Sequence, residues 1–152
     1  MAEQSEPLSA LEAQALAERV AAAMFARDRA SQMMGMRIVR VAPGCAELVM
    51  TVRAEMLNGH ATCHGGFIFT LADSAFAFAC NSNNQTTVAS GAGIDFLAPA
   101  REGDVLTAVA EERSASGRTG VYDIAVRNQR GQAIALFRGK SHRIKGSVNI
   151  EL

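Results

Sequence analysis

The stretch His64-Gly-Gly-Phe-Ile-Phe-Thr-Leu-Ala-Asp73-Ser-Ala-Phe-Ala-Phe-Ala-Cys80-Asn81 decides the fold. The run Phe67 to Cys80 is bounded by Gly-Gly before it and Asn81-Ser-Asn-Asn84 after it, and its fourteen residues are too many for an ordinary strand. The sequence therefore predicts a helix over about 64–81. It is apolar almost all round, as only a helix covered on most sides can be. It lies inside a larger island. Across the 45 residues from Met56 to Ala100 the only charged side chains are Asp73 and Asp95, whereas the chain average of 20% would place about nine there.

Working outward, Ser9 and Glu12 have the spacing of a capping box, with Leu8 as a staple residue, and Leu16, Val20 and Met24 recur every fourth position. These features predict an N-terminal helix over about 9–31. After Gly35 the period becomes two through Ile38 and Val41, the turn Pro43-Gly44, and Leu48, Met50 and Val52, which is a hairpin. Beyond the central helix, strands are expected at 86–97, 105–113, 119–127 and 132–143, separated by turn residues at 99–104, 114–117 and 128–131. One buried helix set among antiparallel strands gives an α+β architecture in which a sheet wraps a helix, with residues 1–152 as a single domain.

The chain of 152 residues carries 15 basic and 15 acidic side chains, so its formal net charge is zero. That balance lacks the basic footprint of a nucleic-acid binder. No uncharged run approaches a membrane span, and the acidic N-terminus has no basic leader region, so a soluble cytoplasmic protein is expected without a membrane partner. Cys45, Cys63 and Cys80 are odd in number and not paired in a Cys-x-x-Cys motif, which fits reduced thiols.

Asp73 is the main candidate for chemistry. A carboxylate inside an apolar helix with no basic partner either has a raised pKa or serves a site; the plainer alternative is a hydrogen-bonded carboxylate at an interface. Gly65 and Gly66 stand at the helix N-terminus, where free N–H groups and the helix dipole suit a developing oxyanion, although glycines there also serve close backbone packing. Eight residues of helix separate Gly65 from Asp73 by about 12 Å, too far to act on one bond. The two work together only if two copies of the helix run antiparallel across a two-fold axis, which requires a homodimer.

Asn58 and His64 lead into the helix and can arrange a substrate or a water, or simply order the loop. His60, Cys63 and His64 also have a metal-like spacing but lack the Glu of a His-Glu-x-x-His site, so no metal is expected. Arg138, Lys140 and Arg143 form a basic segment suited to coenzyme A phosphates or to guarding an edge strand. Phe67, Phe69, Phe76 and Phe78 can line an aromatic pocket or pack the core.

The spacing of Asn58, six residues to His64-Gly-Gly, and nine more to Asp73 resembles the signature of hotdog-fold acyl-CoA thioesterases. Within them it is similar to the phenylacetic acid degradation thioesterases, and the likeness extends through Ile94-Asp-Phe-Leu-Ala-Pro99, Gly103-Asp104 and Phe137 to Arg143. The resemblance implies a hotdog fold, a dimer with one continuous sheet and commonly a tetramer. It implies hydrolysis of phenylacetyl-CoA or hydroxyphenylacetyl-CoA, with Asp73 as nucleophile or general base, the Gly65 amide polarising the carbonyl, and Asn58 and His64 arranging substrate and water. Ser90 is a further candidate on the strand after the helix. No cofactor is implied, coenzyme A being part of the substrate. A hotdog hydratase or dehydratase and a non-catalytic acyl-CoA-binding protein are the alternatives.

Overall fold

A computed structural model describes residues 7–152. Helices α1 (Ala10–Arg27) and α2 (Arg29–Met33) are followed by strands β1 (Arg37–Ala42) and β2 (Cys45–Thr51), a single 3₁₀ turn, and the central helix α3 (Gly65–Cys80). Strands β3 (Gln85–Phe96), β4 (Val105–Ser116), β5 (Thr119–Arg127) and β6 (Ala133–Val148) complete the chain. All six strands pair antiparallel in the order β1-β2-β4-β5-β6-β3. The sheet wraps α3, which is the hotdog arrangement.

Period-two alternation turns Leu48 and Met50 of β2, Leu106 and Ala108 of β4, Ile124 and Val126 of β5 and Phe137 of β6 inward, where all are buried. They meet Ile68, Leu71, Ala75, Phe76 and Phe78 of α3, each of the larger side chains contributing about 1.5–3 kcal/mol on burial. Gly139 of β6 makes room for this packing. A Cβ placed there would lie 2.8 Å from the Phe76 ring, so the ring rests directly on the strand backbone. Phe76 also contacts Tyr122 and Phe137, with ring centroids 5.4 and 6.1 Å away. Phe78 packs on Phe25. Of the two readings of the helix phenylalanines, Phe76 and Phe78 therefore take the core one.

Ser9 forms both halves of the expected capping box with Glu12. The N-terminal helix does not run unbroken to residue 31. Asp28 leaves helical geometry at ψ 83° and its carboxylate accepts from the Ser31 N–H at 3.0 Å, restarting the chain as α2. Ser31, buried, then bonds Ser74 of α3 at 2.9 Å and pins the short helix to the central one.

One face of α3 is left uncovered. Gly66, Phe69, Thr70, Asp73 and Ala77, at helical spacing, stay partly exposed, whereas Ile68, Leu71, Ala72, Ser74, Ala75 and Phe76 are buried. Beside that stripe runs β3, whose outer edge pairs with no strand among the described residues; Val88 and Phe96 on it and Leu97 just after it are each about half exposed.

Candidate active site

The segment entering α3 is fixed at both ends. The Cys63 N–H donates to the Ala100 carbonyl and the His64 N–H to the Met56 carbonyl, each at 2.8 Å. Asn58 holds the turn between them: its Oδ1 accepts from the N–H groups of His60 at 2.9 Å and Thr62 at 3.2 Å, and its Nδ2 donates to Thr62 Oγ1. This grip sustains the left-handed backbone of Ala61, φ 57°. Asn58 thus orders the loop, and one of its Nδ2 hydrogens has no acceptor among the described residues.

His64 caps the helix. Its Nδ1 accepts from the Gly66 N–H at 3.0 Å, and its backbone carbonyl accepts from the Phe67 N–H at 3.0 Å. Accepting at Nδ1 puts the proton on Nε2, so exposed His64 presents a donor and not a base. The Gly66 amide is consumed by this cap, which corrects its assignment to substrate. Among the described residues, the Gly65 N–H has no acceptor, unlike those of Gly66 and Phe67 beside it. It sits at the positive end of the helix, and its free hydrogen suits a developing oxyanion.

The side of Gly65 is less open than the sequence suggests. A Cβ there would lie 2.8 Å from the Phe96 ring, so this glycine makes room for an aromatic ring of β3 and not for a ligand. Position 96 was missed because Phe96 stands far from α3 in sequence. Its inward parity on β3, shared with Ile94, was the available signal.

Asp73 stands in the uncovered stripe, half-buried. Among the described residues no group donates to its carboxylate and no cation pairs with it, and burial raises its pKa above the ordinary aspartate range. It lies eight residues of continuous α-helix beyond Gly65, about 12 Å away, so one chain does not bring the two together. Thr70, one turn before it in the same stripe, spends its hydroxyl on the Gly66 carbonyl at 2.9 Å.

The remaining candidates scatter. Ser90 sits at a bulge in β3 and donates to the Lys140 carbonyl at 3.2 Å. The basic segment divides across the sheet: the parity of β6 sends Arg138 and Lys140 to the outer face and Arg143 to the inner one. Arg138 makes a bidentate pair with Asp123 at 2.6 and 2.9 Å. The three therefore do not share one face of the sheet. In the proposed metal-like trio, Cys63 is buried, which pushes its thiol up to about 11, and His64 Nδ1 is already engaged. A cavity of about 860 Å³ lies on the outer sheet face over Val109, Ala125 and Leu136, and Asp73 does not line it.

The thioesterase superfamily model matches residues 60–135, the segment that holds α3, β3 and the loop beside Gly65. The chain is 51% identical over 129 residues to the acyl-coenzyme A thioesterase PaaI of Escherichia coli K12, covering 85% of this chain and 92% of that one. The chain belongs to the thioesterase superfamily. Among solved structures, this thioesterase resembles the E. coli PaaI protein from the phenylacetic acid degradation operon, with a TM-score of 0.87 and 50% identity over 88% of this chain and 97% of that one. It also resembles a Streptococcus mutans protein bound to acetyl CoA, with a TM-score of 0.70 and 26% identity over 72% and 88% of the two chains. As a superfamily member it is a thioester hydrolase, and no helix of the described residues is long and apolar enough to cross a membrane.

Proposed function

We propose that the chain hydrolyses arylacetyl-CoA thioesters such as phenylacetyl-CoA, as a homodimer with two composite sites and without a cofactor. The observation that carries the reading is the pairing of a free Gly65 N–H at a helix terminus with an unpartnered, partly desolvated Asp73 on the uncovered stripe of the same helix. Likeness to a thioesterase from a phenylacetic acid degradation operon supports the acyl group.

In this reading the thioester carbonyl accepts from Gly65 of one subunit while Asp73 of the other supplies the attacking oxygen, its own or that of a water it deprotonates. Negative charge collects on the carbonyl oxygen, where the N–H and the helix dipole stabilise it without reorganisation. Collapse then breaks the C–S bond and releases coenzyme A as a thiolate, which needs no strong acid, leaving either the free acid or an Asp73 mixed anhydride that a water then cleaves to acid and free carboxylate. His64 Nε2–H and the spare Nδ2 hydrogen of Asn58 are donors for the bound thioester. Dimerisation through the free edge of β3 would extend the sheet and bring antiparallel copies of α3 side by side; the outer sheet face, where Val109, Ala125 and Leu136 lie among charged side chains, is the surface on which two dimers would form a tetramer.

The test is thiol release from phenylacetyl-CoA by wild type and Asp73→Asn, with the mass of each measured in solution. Hydrolysis by a wild-type dimer and its loss in a dimeric, folded variant support the proposal. A fully active monomer would overturn the composite site.

A further inference from the structure

We propose that Phe96 is a specificity-determining residue, its ring forming the wall of the acyl subsite beside the Gly65 N–H. The inference rests on the proposed role of the Gly65 amide and adds the contact that selects the acyl group.

Three observations converge on it. The Phe96 ring approaches the Cβ position of Gly65 at 2.8 Å, and that position and the amide nitrogen are both bonded to the Gly65 α-carbon. The ring is nevertheless 53% exposed, so only part of it is spent on the glycine, whereas Phe76, seated in the same way on Gly139, is 1% exposed. Phe96 also extends inward from the end of β3, next to the uncovered stripe of α3, with half-buried Phe67 and its edge-on partner His64 on the adjoining turn.

A thioester whose oxygen accepts from Gly65 places its carbonyl carbon within reach of this ring. An arylacetyl group carries its own ring one methylene from that carbon, close enough for an offset or edge-to-face contact. Such a contact adds to the simple burial of area. A short aliphatic acyl group has nothing to offer the same surface. The pantetheine arm at the same distance from the carbonyl holds only methylenes and an amide, and it is common to every coenzyme A thioester. The contact therefore appears as selectivity among acyl groups.

The experiment compares kcat/KM for phenylacetyl-CoA and acetyl-CoA in wild type, Phe96→Leu, Phe96→Ala and Phe96→Tyr. The expected result is that the ratio favouring phenylacetyl-CoA falls about threefold to tenfold in the Leu and Ala variants and is kept in Tyr. Phe96→Leu retains an apolar side chain against Gly65, so it stands as the readout where Ala fails to fold. Equal losses on both substrates would make the ring a structural prop and overturn the inference while leaving the roles of Gly65 and Asp73 intact. Absence of thiol release from either substrate by wild type would overturn the site reading itself, and this inference with it.

Discussion

Asp104 closes the turn after Pro99. Its carboxylate accepts from the Arg101 N–H at 2.9 Å and Gln129 Nε2 at 2.8 Å, with Arg130 at 3.5 Å. The Arg101 N–H, more than any other neighbour, holds its pKa below the ordinary aspartate range. Asp73, in the middle of α3, has no donor among the described residues, and burial alone moves its pKa the other way. The same side chain is thus a structural tie in one place and a carboxylate without a protein partner in the other. A partly buried carboxylate of the second kind is the sort of group that reactive sites use.

The largest effect expected from breaking the contrast is at Asp73. Asn in its place should lower thioester hydrolysis about 10²–10⁴-fold, measured as released thiol. The same variant should melt higher than wild type near neutral pH. Because the folded pKa is raised, the native state holds its proton more tightly than the unfolded chain, and ionising Asp73 costs stability as pH rises from the ordinary aspartate value through the raised one. The Tm difference between wild type and Asp73→Asn should therefore shrink on acidification, and a variant that melts lower at neutral pH would contradict the assignment.

Asp104→Ala should act in the opposite sense, destabilising by about 1–3 kcal/mol through the donors it leaves unpaired, with kcat per folded molecule retained. Its contribution is present above the ordinary aspartate value and is lost as pH falls through the lowered one, so wild type and variant should converge only in strong acid. A smaller effect is expected at Ser31, whose hydroxyl joins Asp28 at 2.6 Å to Ser74 at 2.9 Å, one residue from Asp73. Ser31→Ala should cost about 1 kcal/mol in denaturant unfolding and leave Asp73 in place. Ser9→Ala, at the exposed capping box, should cost about as much or less and leave thioester hydrolysis unchanged.

Much of the fold was legible because its signals are local. The apolar run 67–80 and its flanking glycines and asparagines bounded α3 to within a residue at each end, and Pro43-Gly44 marked the β1–β2 turn. The break at Asp28 was hidden because an Asp inside a helical pattern reads as surface, and only its bond to Ser31 shows that it restarts the helix. Strand β6 runs to Val148, past the predicted 143, because its pairing with Gln85 lies 63 positions away in sequence. At the site, Asp73 was legible as an isolated charge. Which first-turn amide stays free was not, since it depends on the direction in which the His64 ring turns. How the basic residues 138, 140 and 143 divide between the faces was hidden for a related reason: nearby residues in a strand, set out of phase, need not share a face.

Phe76 seated on Gly139 has a consequence for how this sequence can vary. A β-carbon at 139 and the ring at 76 occupy the same space in the packed core, so neither position is free to change alone. Enlarging the strand residue demands a smaller helix residue, and shrinking the ring leaves a void that a larger side chain at 139 can fill. The two positions, 63 apart in sequence, form one unit of inheritance. Gly139→Ala should be damaging by itself and relieved when Phe76 is made Leu at the same time.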